Sequence, residues 1–388
     1  MTTLIKNARI VTSKEILSGY ICSFTDGIID YIGKEGQENS KMDVIIDAQN
    51  NYLIPGFVDI HCHGCMGMSF MEATEEELGE MAAYHLSHGT TTLYATTSTS
   101  GMEDIKHALD VFKQYKAAHP NSSLEAVHME GPWLSPIQCG AQADTLMRAP
   151  DIEELKALKE QYPFLARVDA APELPGGMEF GRVGTELGLK VGVAHSDAIF
   201  TEVEKAAQNG YTIMTHLYSG MKGVERVNAY RITGAIEAGL YLDDMYAEVI
   251  ADGRHLPLEL LKLIYKCKGA EKICLVTDAT RACGLPEGTI TTSLSSTGGH
   301  QIIVEDGVAK LMNRQAFSGS TATADRLYRT MAQAIGKDMV ALSIMSSLAP
   351  ARAMGLDDRG EIAVGKRADM ILLNEQLEVE QVITDRKV

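Results

Sequence analysis

Basic residues are in short supply in this chain. Lys and Arg number 35 against 52 Asp and Glu, a formal charge of -17. That bias repels a phosphate backbone and excludes nucleic acid as the expected partner. The first residues, Met1 to Ile10, hold no basic segment followed by a long apolar stretch, so no secretory leader is expected. No apolar run approaches the ~20 residues of a membrane span, so no membrane partner is expected either. Cysteine is sparse: seven, an odd number, are scattered through 388 residues. They do not form a disulfide framework and suit a reducing cytosol, which makes cytoplasmic residence the expectation. Cys62 and Cys65 form a Cys-x-x-Cys, but no second pair follows at finger spacing. In a strand Cys62 would also face away from His61 and His63, so a buried thiol is the simpler reading. Repeats and low-complexity tracts are absent. What the chain has is 45% hydrophobic residues, enough for one large core or two modest ones.

From Asn51 onward short apolar, β-rich runs alternate with longer segments of helical spacing, the pattern of parallel βα units. The runs Leu53–Ile60, Thr91–Thr97, Leu124–His128, Leu165–Ala170, Lys190–Ala194, Tyr211–Thr215, Ala247–Ala251 and Lys272–Thr277 read as eight strands. Between them Glu75–Ser87, Asp104–Ala117, Asp151–Gln161, Glu202–Gln208 and Leu258–Tyr265 read as amphipathic helices. Eight strand–helix units predict an α/β fold, a (β/α)8 TIM-like barrel, with a doubly wound open sheet as the alternative. The chain ends differ in style. Leu4–Val11 and Val44–Asp47 look like strands, and Gly360–Asn374 resumes the pattern. The expectation is a small β-sandwich-like domain built from both termini, residues 1–52 plus 356–388, flanking a barrel of residues 53–355. Gln301–Val304 and Val308–Leu311, joined by Asp306-Gly307, predict a hairpin inserted after the eighth strand.

A barrel carries its active site at the C-terminal ends of the strands. There the sequence places His61 and His63 after the first strand, His128 and Glu130 after the third, His195 after the fifth, His216 after the sixth and Asp278 after the eighth. His61 and His63, two apart, share a face of their strand and would point into the barrel together. One histidine at a strand end is more often a cap than a ligand. Five candidate ligands at four strand ends point to a metal. His85, His88, His107, His119 and His300 fall on helices or loops and read as surface or packing residues.

Several segments carry a resemblance. They are Pro55-Gly56-Phe57-Val58-Asp59-Ile60-His61-Cys62-His63-Gly64, His128-Met129-Glu130-Gly131-Pro132-Trp133-Leu134-Ser135-Pro136, Thr215-His216-Leu217-Tyr218, Ala251-Asp252-Gly253-Arg254-His255, Leu275-Val276-Thr277-Asp278-Ala279 and Ser318-Gly319-Ser320-Thr321. Over nearly its whole length the chain resembles the N-acetylglucosamine-6-phosphate deacetylases, a branch of the amidohydrolase superfamily. The resemblance implies hydrolysis of an acetamide on an amino sugar phosphate. It makes Glu130, His195 and His216 the main ligands of one divalent metal, with His61 and His63 serving a second, so one or two ions per chain. Zinc and ferrous iron both suit such ligands. Asp278 would be the general acid–base group and His255 a substrate contact, and a homodimer is the expectation.

The chain also departs from that pattern at substrate positions. Gly140-Ala141-Gln142 stands where many members have Gly-Ala-His, and Ser219-Gly220 stands where they have Asn-Ala. Gln142, Ser219 and Gly220 are therefore candidate substrate contacts that leave the sugar open. Arg226 and Arg231 lie in the loop from which the phosphate contact is expected. The rival readings are an amidohydrolase for another N-acyl compound and a non-catalytic barrel scaffold. Dihydropyrimidinase-like relatives usually bridge two metals through a modified lysine, and no counterpart of it is found here.

Overall fold

The computed structural model describes residues 1–36, 42–293 and 299–386. Eight strands run parallel in one sheet, and neighbours in sequence are neighbours in space: Phe57–Cys62, Thr90–Thr97, Leu124–Met129, Leu165–Ala170, Lys190–Val193, Tyr211–Met214, Tyr246–Val249 and Ile273–Leu275. They are called the first to eighth strands below. Residues just beyond the eighth strand reach the first strand. Cys62 and Ala279 form a parallel bridge, the Asp278 N–H donates to the His61 carbonyl at 2.9 Å, and the Thr277 hydroxyl donates to Asp59 at 2.5 Å. Helices on one face and filled interior side chains on the other bury the strands from both sides. All eight residues of Thr90–Thr97 are buried, which favours β-branched residues at every position rather than at alternate ones.

The expected helices appear at Glu75–Ser87, Met102–Ala118, Ile152–Gln161, Phe200–Gln208 and Leu258–Lys268. Thr74 caps the first of these by accepting the Glu77 N–H, while the Glu77 carboxylate accepts the Thr74 N–H. No helix among the described residues is long and apolar enough to cross a membrane. Helices outside that expectation include Gly177–Glu186, Ala235–Tyr241, Met339–Ser343 and Ala349–Met354, and the hairpin Glu225–Val227/Tyr230–Ile232 in the loop after the sixth strand was not expected either.

A second, mixed sheet joins both ends of the chain. Its strand order is Val379–Ile383, Met370–Leu373, Tyr52–Pro55, Thr2–Val11, Ile16–Thr25, Ile28–Gly33, and Val44–Asp47 pairs with Thr2–Val11. It covers its own core of Ile5, Ile10, Leu53, Met370 and Leu372. The run Leu53–Ile60, expected as one strand, is split here. Tyr52–Pro55 pairs antiparallel with Met370–Leu373 in the mixed sheet, and Phe57–Cys62 starts the parallel one. The break falls at Pro55-Gly56. Pro55 has no N–H for a ladder, and a Cβ on Gly56 would lie 2.2 Å from the Thr91 hydroxyl oxygen. The inserted hairpin forms as expected, Gln301–Glu305 with Val308–Leu311, with Ile290–Thr292 adding a third strand. Its turn residues Asp306 and Gly307 both have positive φ, 57° and 72°, as a two-residue hairpin turn requires.

Candidate metal centre at the strand ends

A cavity of about 370 Å³ opens at the C-terminal ends of the parallel strands. His63, Glu130, Gln142, His195, His216, Ser219, Gly220, His255 and Asp278 line it, and His61 is buried just beneath. The structure thus brings all five expected ligands and Asp278 together. His216 Nε2 lies 2.7 Å and His195 Nε2 3.2 Å from the same Glu130 oxygen. The other Glu130 oxygen is 3.3 Å from His63 Nε2. Asp278 Oδ1 is 3.3 Å from His63 Nε2 and 3.5 Å from His61 Nε2. Two sets, His61 with Glu130 and His216, and His61 with His63 and Asp278, each present ligand atoms within 4.8 Å of one another.

The donor chemistry of these side chains fits a cation. His195 Nδ1 faces the Gln138 carbonyl at 2.7 Å, so it carries the ring hydrogen and leaves the Nε2 lone pair towards Glu130. The Nε2 atoms of His61 and His63 face each other at 3.2 Å. Two lone pairs at that distance repel unless positive charge lies between them. Without a metal, protons supply it. Burial disfavours the charged form of His63, yet hydrogen bonds to Asp278 and Glu130 outweigh burial and raise its pKa to about 10. The same opposition, with Glu130 as the main partner, raises His216 to about 9. In turn the histidines hold Glu130 well below the usual carboxylate range despite complete burial. A buried cluster that gathers protons this strongly is one in which a divalent ion can replace them.

Backbone strain accompanies the cluster. His216, Tyr218 and Asp278 have φ of 31°, 83° and 45°, a left-handed region that costs a bulky residue roughly 1–3 kcal/mol. Gly220, at φ 55°, allows a close approach: a Cβ there would fall 2.3 Å from His195 Nδ1.

The remaining candidates divide. Gln142 reaches the ligands, its amide nitrogen donating to Glu130 at 2.7 Å while its carbonyl oxygen accepts the Thr99 N–H at 3.0 Å. His255 gives Nδ1 to Asp252 at 2.9 Å and packs its ring against Phe317. Arg226 and Arg231 do not line the cavity. They sit exposed on the Glu225–Val227/Tyr230–Ile232 hairpin, beside exposed Val224, Val227 and Tyr230. Among the described residues Arg281, paired with Glu72 at 2.6 Å, is the only lysine or arginine on the cavity wall. A wider surface groove running from Arg148 to Leu187 gathers no set of ligands, and its cations are neutralised locally, as in Arg148–Glu154 and Lys156–Glu153.

Comparison with known proteins agrees with this geometry. The amidohydrolase family model matches residues 52–387. The chain is 32% identical to the N-acetylglucosamine-6-phosphate deacetylase of Lysinibacillus sphaericus over 87% of its own length and 85% of the relative's. The chain belongs to the amidohydrolase family, in its N-acetylglucosamine-6-phosphate deacetylase branch. An N-acetylgalactosamine-6-phosphate deacetylase of Escherichia coli O157:H7 is 29% identical over 98% of both chains. A solved structure of a point mutant of the Mycobacterium smegmatis N-acetyl-D-glucosamine-6-phosphate deacetylase, in complex with N-acetyl-D-glucosamine-6-phosphate, has a TM-score of 0.89 and 29% identity, covering 100% of this chain and 98% of that one. A TIM-like barrel with a small accompanying domain is the architecture of this branch of amidohydrolases.

The sequence reading missed what lies under the ligands of this amidohydrolase. Arg167 and Asp169 on the fourth strand and Glu248 on the seventh are completely buried inside the parallel sheet. Burial opposes ionisation of Glu248, but Arg167 and His61 beside it bring its pKa down to about 2. A signal was present: Arg167 and Asp169 are two apart, so they share one face of a strand whose other residues are mostly apolar.

Proposed function

We propose that the chain hydrolyses the acetamide of N-acetylglucosamine 6-phosphate to glucosamine 6-phosphate and acetate. The observation that carries this reading is the meeting of four imidazole Nε2 atoms and two carboxylates at one cavity mouth, in a chain whose similar relatives bear that activity in their names. Glu130, His195 and His216 would hold one divalent ion, zinc or ferrous iron, and His61 with His63 a second. Such an ion supplies a Lewis acid that polarises an amide carbonyl and lets water ionise near neutral pH.

Asp278 is the group we assign to the proton. The His61 carbonyl accepts its N–H and its own carbonyl accepts the Ser320 N–H at 2.8 Å, an anchorage that supports a fixed carboxylate at the cavity wall. It takes a proton from the attacking water and returns it to the departing amine nitrogen, so that the C–N bond breaks to a neutral amine and acetic acid, which then gives up its remaining proton to become acetate. His255, with Nδ1–H committed to Asp252, would donate from Nε2 only as the imidazolium. From there it is suited to the oxygen that gains charge in the transition state. Gln142, Ser219 and Gly220 would meet the sugar, while Arg226 and Arg231, which stand off the cavity wall, would meet its phosphate only by movement of their hairpin.

The finer architecture belongs to the same proposal. The Cys62–Ala279 bridge supports a closed (β/α)8 barrel that begins at Phe57 and runs to residue 355, with residues 1–55 and 356–388 as the small sandwich-like domain, so the boundary expected after residue 52 moves to the Pro55-Gly56 break. The exposed apolar hairpin carrying Arg226 and Arg231 supports a homodimer with that hairpin at the contact. Cytoplasmic residence rests on the free cysteines. Gln142 and Ser219-Gly220, together with the similarity to an N-acetylgalactosamine-6-phosphate deacetylase, favour another N-acetyl amino sugar as the second reading. Acetate release from the two 6-phosphates and from unphosphorylated N-acetylglucosamine tests the proposal. The gluco 6-phosphate is expected to give the highest kcat/KM, because binding of the remote phosphate helps position the acetamide. A higher value for the galacto 6-phosphate would move the assignment to that sugar. Equal values with and without phosphate would remove the phosphate from it, and no acetate from any of the three would overturn it.

A further inference from the structure

Beneath the cavity lies a layer of buried charge that the proposed reaction leaves unused. Arg167, Asp169, Glu248 and His128 are each 0% exposed, in surroundings where an unpaired charge costs several kcal/mol. All are hydrogen-bonded. Arg167 donates through Nη1 to Glu248 Oε1, through Nη2 to the Thr215 hydroxyl at 2.8 Å, and through Nε to Asp169 at 3.2 Å. Asp169 also accepts from His128 Nε2 at 2.8 Å. The second Glu248 oxygen accepts the main-chain N–H of His216 at 3.2 Å and lies 3.1 Å from His61 Nδ1.

A carboxylate has no hydrogen to give, so His61 Nδ1 must carry the one in that contact. The lone pair of the neutral ring then sits on Nε2, the atom that faces His63 Nε2 and Asp278. We infer that Glu248, clamped by Arg167, is the positioning residue for His61, fixing the tautomer and ring orientation that let the His61–His63 pair hold an ion of its own. The inference rests on the metal-site reading above and deepens it by naming what positions a ligand of the second ion. Glu248 is not on the cavity wall, so it acts through His61 rather than on substrate. Arg167 holds the carboxylate by one oxygen and leaves the other for the ring, a carboxylate–imidazole arrangement that also makes the ligand nitrogen more basic. The charge count agrees. Two carboxylates, Asp169 and Glu248, face one guanidinium, and with neutral imidazoles the layer carries one negative charge under the site.

Zinc titration of metal-stripped full-length protein against a chromophoric chelator tests this, comparing wild type with Glu248→Gln. Glutamine keeps the size and an acceptor for the His216 N–H but loses the charge that Arg167 holds. Wild type is expected to take up two ions. The variant should bind the weaker ion at least about tenfold less tightly and the tighter one within about twofold of wild type. Uptake of a single ion by wild type, or unchanged binding of both by the variant, overturns the inference. Should Glu248→Gln fail to fold, ¹⁵N NMR of histidines in zinc-loaded wild type decides, with the His61 signal identified by its loss in His61→Gln. A hydrogen on Nδ1 is expected, and one on Nε2 overturns the inference. Wild type that binds two ions yet releases no acetate from any N-acetylhexosamine phosphate would remove the substrate reading and leave this one standing.

Discussion

The third strand, Leu124–Met129, has a glutamate near each end, Glu125 partly buried and Glu130 buried, and the two are neutralised in opposite ways. At its start, Glu125 meets two fixed cations, Arg359 at 2.9 Å and Arg386 at 2.8 Å, which tie the tail of the chain to the base of the parallel sheet. Just past its end, Glu130 meets the imidazoles of His63, His195 and His216 and the neutral amide of Gln142, and among the described residues no Lys or Arg pairs with it. Guanidinium is charged at every working pH, so the Glu125 cluster is complete within the chain. Imidazole is charged only when protonated, so the Glu130 cluster is complete only with protons or with a metal. A carboxylate between arginines is a fastening; one among histidines is a site awaiting a cation.

The comparison breaks most visibly by substitution at the two glutamates. Glu130→Gln is expected to lose bound metal and to lower acetate release by about a thousandfold or more, since Lewis-acid help is worth several kcal/mol. Glu125→Gln should leave turnover per folded molecule within about twofold. Metal analysis and turnover on both variants decide it, and a metal-replete, active Glu130→Gln protein would erase the distinction. Asp278→Asn comes next: metal should stay while the rate falls by about a hundredfold or more, because the carboxylate that moves the proton is gone. Near-normal turnover would assign the proton to another group.

Much of this could be read from the chain before the structure, because a parallel barrel writes its strands as buried apolar runs and its site at their ends. His61, His63, Glu130, His195, His216 and Asp278 were all visible at strand ends, and both termini of the small sheet were visible from their turn-rich style. Other features were hidden for physical reasons. Leu53–Ile60 is apolar apart from Asp59, which lies beyond the break, so its hydropathy does not mark the point at Pro55-Gly56 where the chain leaves one sheet for the other. The helix Gly177–Glu186 contains glycines that lower helix propensity, yet at Gly181 a Cβ would lie 2.3 Å from the Tyr211 ring, so close packing requires the residue that disguises the helix. Arg167 and Glu248 sit mid-strand, where a parallel sheet buried on both faces is expected to be apolar.

The fastening end makes a smaller prediction that sharpens the contrast. Burial alone would raise the Glu125 pKa, but Arg359 and Arg386 outweigh it and lower the value from 4.5 to about 2. A folded pKa depressed in this way gives stability that is present above the unfolded value and is lost as pH falls from about 5 towards 2. With its partial exposure the contribution is about 2–3 kcal/mol. Wild type should therefore unfold at higher denaturant than Glu125→Gln at pH 7, and the gap should narrow progressively below pH 5. A gap that stays constant down to pH 3 would mean that the two arginines do not fasten this carboxylate.

The central claim is that the histidines and carboxylates at the strand ends form a metal site for amide hydrolysis. Acetate release from N-acetylglucosamine 6-phosphate by one preparation, measured as purified, after chelation and after zinc or ferrous iron is restored, tests it most directly. The account predicts turnover that disappears with the metal and returns with it. Undiminished turnover in protein shown by elemental analysis to be metal-free would contradict it.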